Sequence, residues 1–350
     1  MPEPESTRRR ARAARPTLAD VAAHAGVSPS TVSRVVRRAT PVSADLEQAV
    51  REAIAATGYV PNLAARQLVT TRSDTVGMVV AEDQRRVFGE PFFGALMDGI
   101  VQALAESRYH VTLVVARSAQ DREWLEHFVA GGHLDGVMLI APPRGDPLAG
   151  TMTHLHVPRV YLGKPFPAKG SRVSQFSYVD ADNAGGAALA VRHLHAAGRR
   201  HIAMVSGVAE MRSATDRRRG FLRGHKALGL TADERLIVAS DYTATGGAAA
   251  TERLLRGGLP FDAVVAASDV VAGGVMRTLR ANGIKVPDDV AVIGFGDEGD
   301  LEYDPPLTTI AQPTFEMGRR LARLTVAAIE GDPQHRSIVM PTRLVVRQSA

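Results

Sequence analysis

The sequence predicts a small all-α head followed by a larger α/β body of two lobes, each built on a parallel, doubly wound sheet. Three observations carry that reading. The excess positive charge is confined to the first fifth of the chain. That fifth shows three short helical patterns, and from Thr75 onward β-branched runs alternate with helical patterns in two successive blocks. The length of 350 residues exceeds one ordinary domain of about 100–200 residues, and 45 % apolar content is enough to fill a core. No stretch nears the ~18 continuous apolar residues of a membrane span.

Formal net charge is +5, and residues 1–72, with eleven arginines, no lysine and six acids, carry all of it. A small basic head on a neutral body points to a polyanion partner such as nucleic acid. An anionic membrane surface is the competing partner, but Arg8, Arg9, Arg10, Arg12 and Arg15 have no neighbouring Trp, Phe or Leu to insert beside them. The arginines run into a polar helix pattern rather than an apolar signal segment, and the chain has no cysteine. Disulfides, thiolate zinc sites and cysteine nucleophiles are thereby excluded, and a soluble cytoplasmic protein is the reading.

Within the head, Thr17 is placed to cap a helix over Leu18–Ala25, whose Leu18, Val21 and Ala22 share one face, and Gly26 ends it. Ser28 caps a second helix with Pro29 at its first position, where a missing N–H is harmless. That helix turns Val32, Val35 and Val36 to one side and Ser30, Thr31, Ser33 and Arg34 to the other. A third opens at Ser43, runs over Leu46–Ala56 and stops at Gly58. Two helices across a short Gly-containing turn, braced by a third, form a helix-turn-helix. The N-terminal end of the second can enter a major groove and touch base edges, while Arg37 and Arg38 suit phosphates.

The run TLADVAAHAGVSPSTVSRVV, followed by PVSADLEQAVREAIAATGYVPNLAARQL, resembles the DNA-binding head of the LacI/GalR family of bacterial transcription regulators, and the similarity extends over residues 16–347. The resemblance implies a homodimer, sometimes a tetramer, that binds a near-palindromic double-stranded operator and responds to a small effector. By that match Thr17, Ser28, Pro29, Ser30, Thr31, Ser33, Arg34 and Arg37 serve DNA binding. Pro29 and Ser30 stand where some members carry larger hydrogen-bonding side chains, so the operator sequence does not follow. Residues 1–15 read as a basic disordered tail, 16–60 as the DNA-binding domain and 61–73 as hinge helix and linker. On spacing alone Asn62–Val69 is an ordinary linker, too short to be a stable isolated helix. The resemblance instead implies a hinge helix that orders on DNA, with Asn62 and Ala65 in it and Leu68 wedged between base steps.

Residues 74–350 form the effector-binding and dimerisation body. Strands are expected at Val76–Ala81, Val111–Val115, Gly136–Ile140 and Val160–Leu162, then at Ile202–Val205, Leu236–Ala239, Ala263–Ala266 and Val290–Phe295. The intervening helices are Phe92–Glu106, Arg122–Ala130, Asn183–Ala197, Asp216–Leu228, Thr245–Arg256 and Val270–Asn282. Such alternation gives two parallel sheets with a ligand cleft between their strand ends. The resemblance agrees, implying a periplasmic-binding-protein-like body with crossovers near Ser174 and Thr309 and a return near Gln334. Lobe 1 is then about 74–174 with 310–334, and lobe 2 about 175–309 with 335–347.

On the residues alone Arg217, beside Arg218 and Arg219, reads as a surface arginine. Its place three residues before Gly220 matches the family's effector-contacting arginine, whose fork grips vicinal hydroxyls or a carboxylate. Tyr242 matches an aromatic platform for a sugar, and Phe92 and Phe93 match cleft-edge positions that core packing would also explain. Ser268 matches a contacting position, while Asp269 is either a contact or the cap of the helix that follows. Gln312 matches a polar cleft residue. Gly163 and Gly296 replace two aspartates common in the family, so the pocket is expected to be less acidic than usual, with Asp297 reaching inward. A sugar or sugar derivative is the implied effector class, with no cofactor and no membrane partner.

Enzymatic readings find no support. His154 and His156, or His193, His195 and His201, lack carboxylates on a shared helix face, and no phosphate-binding loop or nucleophile elbow occurs. A solute-binding protein would share the body but should be exported and lack the head. A sugar-modifying α/β enzyme would need a base and a nucleophile that do not assemble. The sequence therefore reads as an effector-controlled, operator-binding repressor.

Overall fold

The computed structural model describes residues 16–37, 42–60, 72–81, 89–166, 172–299, 302–332 and 334–350. The chain divides into two compact units, Met1–Thr71 and Arg72–Ala350. The first holds α1 (Leu18–Ala25), α2 (Pro29–Arg37) and α3 (Ala44–Thr57). Thr17 opens α1 with a reciprocal cap, accepting from the Asp20 amide at 3.4 Å while Asp20 accepts from the Thr17 amide at 2.7 Å. The latter bond holds the Asp20 carboxyl below its ordinary range. Ser28 caps α2 by accepting from the Thr31 amide at 3.2 Å, whereas Ser43 precedes α3 without a side-chain cap. Gly26 (φ 65°) and Gly58 (φ 64°) end α1 and α3 in the left-handed region, where an L side chain is strained. Val21, Ala22, Val32, Val50 and Ala53 are buried in one core, with Val35, Val36 and Tyr59 against it. The tail 1–15, Arg38 and the expected hinge with Asn62, Ala65 and Leu68 lie outside the described residues.

The second unit begins with β1 (Thr75–Val80), α4 (Pro91–Ala105), β2 (His110–Val115), α5 (Ala119–Ala130), β3 (Gly136–Ile140), α6 (Leu148–His154), β4 (Arg159–Leu162) and β5 (Tyr178–Ala181). It continues with α7 (Asn183–Ala196), β6 (Ile202–Ser206), α8 (Arg212–Ala227), β7 (Ile237–Ala239), α9 (Ala244–Arg256), β8 (Ala263–Ala266), α10 (Asp269–Ala281), β9 (Ala291–Gly296) and β10 (Thr308–Ala311). It closes with α11 (Thr314–Ile329), β11 (Ser337–Met340) and β12 (Arg343–Val345). Two six-stranded sheets result, in the orders β11-β5-β4-β3-β1-β2 and β12-β10-β9-β8-β6-β7. All pairings are parallel except β12 on β10.

Each sheet is covered on both faces, which explains its near-continuous apolar strands. Along β1, Val76, Met78 and Val80 pack with Phe93, Leu96, Ile100 and Leu321, while Val79 joins Leu125, Val137 and Tyr161 on the opposite face. Lobe 2 is built likewise, with α9 and α10 on one face and α7 and α8 on the other. The pair α7–α8 packs so closely that a Cβ at Gly220 would overlap the Ala184 carbonyl oxygen.

The lobe boundaries differ from the expected ones. Tyr178–Ala181 pairs with β4 and β11, so it belongs to lobe 1, whereas Thr308–Ala311 pairs with β9 in lobe 2. β11 lies in the lobe 1 sheet and only β12 in that of lobe 2. The chain therefore crosses between Ala181 and Asn183, between Ala311 and Thr314, and between Met340 and Arg343, each a few residues beyond the expected Ser174, Thr309 and Gln334. Runs of four residues are too short to show a period, and Asp180 and Thr309 interrupt the apolar signal of these buried strands. Helices α5 and α8 start three and four residues earlier than their apolar patterns; Ser118 caps α5 through Asp121, whereas α8 begins after Met211 without a side-chain cap. Helices α6 and α11 add to the expected elements.

Candidate functional site

In the head, α2 buries Val32 and leaves Pro29, Ser30 and Arg34 exposed, with Thr31 and Ser33 half-buried. Ser28 Oγ lies 2.8 Å from Ser30 Oγ and 2.9 Å from Thr31 Oγ1, and Arg34 Nη2 donates to Thr31 Oγ1 at 3.5 Å. Short hydroxyls and one guanidinium thus share the polar face of α2. Thr17 is exposed at the start of α1.

In the body, the strand ends of the two lobes face a cleft of about 720 Å³, open solvent at its mouth included. Ile140, Leu162 and Ala181, the last residues of β3, β4 and β5, form part of the lobe 1 wall with Phe92 and Phe93. Those phenylalanines meet edge to face, centroids 5.3 Å apart, and also pack into the lobe 1 core. Ser213, Arg217, Tyr242, Ser268 and Phe295 line the cleft from lobe 2, and Gln312 from a crossing segment.

Arg217 is 6 % exposed and is no surface arginine. Its Nε donates to Asn183 Oδ1 at 2.8 Å, Nη2 donates to Gln312 Oε1 at 3.3 Å, and Nη1 donates to the Ala267 carbonyl. The guanidinium carbon lies 3.6 Å from the centroid of the Phe295 ring. Burial lowers its pKa, opposed by Tyr242, Glu298 and Asp180. The tyrosine wedges against Gly207, where a Cβ would overlap its ring, and its hydroxyl lies 3.3 Å from Ser213 Oγ.

Three carboxylates that the sequence did not point to, those of Glu90, Asp180 and Glu298, line the cleft. Asp180 accepts from the Lys164 amide at 3.0 Å and from Asn183 Nδ2 at 3.0 Å, and burial raises its pKa to about 6. Glu298 accepts from Gln312 Nε2 at 2.7 Å and from Thr314 Oγ1, and burial raises its pKa to about 7. The two glycines at the lost aspartates are both left-handed, Gly163 at φ 83° and Gly296 at φ 147°. A Cβ at Gly296 would lie 2.8 Å from Glu298 Oε2, so the carboxylate of Glu298 occupies the space beside this glycine.

Two expected contacts are not in the cleft. Asp297 is left-handed (φ 62°) and turns to Arg347, its Oδ1 accepting at 2.6 Å. Asp269 faces the same way, accepting from Thr309 Oγ1 at 2.5 Å and the Asp297 amide at 2.7 Å. Both line a neighbouring hollow with Tyr303 and Arg347. Nor does Asp269 cap α10: Ser268 does, accepting from the Val271 amide at 3.3 Å.

Such a cleft offers apolar and aromatic walls with fixed hydrogen-bond donors and acceptors among them, the make-up of a small-molecule site. Among the described residues, no three His, Asp or Glu side chains are grouped to hold a metal ion, and no helix is long and apolar enough to cross a membrane. A helix-turn-helix unit joined to a two-lobed ligand-binding body defines a ligand-responsive DNA-binding protein. Residues 17–62 match the bacterial regulatory proteins of the lacI family, and residues 191–350 match a periplasmic binding protein-like domain. The HTH-type transcriptional regulator CelR of Thermobifida fusca is 42 % identical over 96 % of this chain and 98 % of its own. The HTH-type transcriptional repressor CytR of Escherichia coli is 30 % identical over 95 % and 96 %.

Among solved structures, a CelR–cellobiose complex superposes with a TM-score of 0.76 at 40 % identity, over 96 % of this chain and 100 % of that one. A lac repressor dimer bound to operator and the anti-inducer ONPF gives 0.83 at 26 % identity, over 96 % and 99 %. The chain belongs to the lacI family of bacterial transcription regulators.

Proposed function

We propose that this chain is a cytoplasmic, nucleoid-associated repressor that binds operator DNA as a homodimer and whose DNA affinity is set by a short sugar of the cellobiose kind. The carrying observation is the buried Arg217, held among Asn183 and Gln312 at two lobe crossings, in a cleft with aromatic walls. The full-length likeness to a regulator solved with cellobiose supports the sugar class. That to a dimer bound to operator supports the assembly. No catalytic step, cofactor or metal enters this reading.

A ligand touching both lobes alters their angle, and that change must reach the residues preceding the body. Where the body begins, the amides of Ser73 and Asp74 donate to the two oxygens of Asp135 at 2.7 and 2.9 Å, and Arg108 pairs with Asp74 at 3.2 Å. Rotation of lobe 1 therefore carries residue 72 with it. In a dimer this resets the spacing of two hinge segments that include Leu68, and with it their fit to the minor groove. Coupling of this kind is typically about 1–3 kcal/mol, or roughly 5–150-fold in affinity.

The test is fluorescence anisotropy of the full-length protein on a duplex selected from its own genome, with and without cellobiose. Tight, salt-sensitive binding that the sugar shifts at least fivefold in either direction is the expected result. Failure to bind any duplex overturns the DNA reading, and operator binding that no sugar shifts overturns the effector reading.

A further inference from the structure

Besides the three crossings, the lobes meet where the segment after β3 touches the segment after β6. Ala141 of lobe 1 packs against the cluster of Met211, Ala214 and Tyr242 in lobe 2. Three residues on, the Arg144 amide donates to the Glu210 carbonyl at 2.8 Å. Phe166, in the segment after β4, has two guanidinium carbons over its ring, that of Arg144 at 4.0 Å and that of Arg212 at 5.3 Å from the centroid. Phe166 and Arg144 belong to lobe 1 and Arg212 to lobe 2, where Asp216 fixes it by an Nε–Oδ2 bond of 3.0 Å. Ala141, Gly163, Met211 and Ser213 all line the cleft, so this seam forms part of its rim.

We infer that Phe166 is a positioning residue that clasps the lobes shut along this rim through Arg212, so that exchange of a small molecule requires the arginine to leave the ring. Two cations brought together from opposite lobes would repel, and the negative face of an aromatic ring is what lets both approach. Arg212 has Asp216 as a counter-charge. Among the described residues Arg144 has no ion-pair partner, which leaves the ring as the group its charge meets. Opening the cleft separates Arg212 from Phe166 and Arg144 from Glu210, but leaves Arg144 on the ring. The seam therefore breaks between lobes and not within one. The inference deepens the small-molecule reading of the cleft but needs no particular ligand.

The test is hydrogen–deuterium exchange of the ligand-free, full-length protein, reading the peptide that contains the Arg144 amide. In Phe166→Ala that peptide exchanges about three- to tenfold faster, as loss of one cation–π contact implies. Peptides covering β3 and β6 keep their protection, which a general loss of folding would not allow. Phe166→Leu, which keeps apolar bulk without a π face, behaves like the alanine variant. Unchanged protection of Arg144 in Phe166→Ala overturns the clasp, and parent-like protection in Phe166→Leu overturns the role of the ring. Cellobiose dissociation, followed by stopped flow, quickens by the same factor. Should cellobiose not bind the parent, the sugar reading fails while the ligand-free exchange still decides the clasp.

Discussion

Arg217 Nε donates to Asn183 Oδ1 at 2.8 Å, which ties the buried cation of the cleft to the first residue after a lobe crossing. Asn183 in turn donates to Asp180, on the last strand before that crossing, at 3.0 Å. The guanidinium thus braces two lobe crossings, and under the proposed function it also donates to the ligand. Arg217→Ala removes both roles and leaves Asn183, Gln312 and the Ala267 carbonyl without their donor. Leaving buried neutral acceptors without their donor costs about 1–3 kcal/mol. Calorimetry of the variant should show a destabilised but cooperative body with no sugar-induced rise in Tm; a parent-like melting curve contradicts the brace.

Glu298 gives a pH dependence whose sign is opposite to that of a paired carboxylate. Burial raises its pKa to about 7 from an ordinary 4.5. Between those values the folded chain keeps a proton that the unfolded chain has released, so the contribution of Glu298 to stability is greatest below about 4.5 and is lost as pH rises from there through about 7. Glu298→Gln, whose amide oxygen can still accept from Gln312 and Thr314, abolishes that loss. At about 1.4 kcal/mol per pH unit, the variant should gain about 2–3 kcal/mol on the parent between pH 5 and pH 8. Urea titrations at both pH values measure the difference, and a constant offset between the two proteins contradicts it.

Arg217, Tyr242 and Ser268 in the lobe 2 wall, with Gln312 at a crossing, are legible in the sequence through the family resemblance, and they do line the cleft. The carboxylates are not legible. Asp180 lies within a four-residue strand with no visible period, and Glu90 lies just ahead of α4. Glu298 faces the cleft in place of Asp297 only because two consecutive left-handed residues, Gly296 and Asp297, turn the chain. Torsions of that kind leave no trace in residue spacing. The head is legible almost throughout, since Thr17, Gly26, Ser28 and Gly58 each mark a helix end by a local bond or backbone conformation.

On α2, the exposed Arg34 and the following Arg37 call for separate readouts. Placed among Ser30 and Thr31 at the N-terminal part of the helix, Arg34 suits a base edge, whereas Arg37 suits a phosphate. Arg34→Ala should cost about 1–3 kcal/mol on the operator and little on random duplex. Arg37→Ala should weaken both duplexes equally and reduce the slope of log K against log salt by about one. Anisotropy at four salt concentrations separates the two effects. Equal losses on both duplexes for Arg34→Ala assign it to the backbone instead.

Leu68 tests the step between effector and operator. An eight-residue segment with small apolar residues cannot hold a helix alone in water, and under the proposed function its order would come from pairing with a second copy over DNA. A leucine inserted between base steps costs a few kcal/mol of unstacking, offset by the contacts a kinked duplex allows. Leu68→Ala forfeits that insertion, so operator affinity should fall by at least about tenfold, or about 1.4 kcal/mol. The variant should also bend the duplex less, read as a smaller change in end-to-end energy transfer on a labelled fragment. Sugar affinity, measured by calorimetry without DNA, should match the parent because the cleft is built wholly from residues beyond the hinge. Undiminished operator affinity with a parent-like bend would remove Leu68 from the groove.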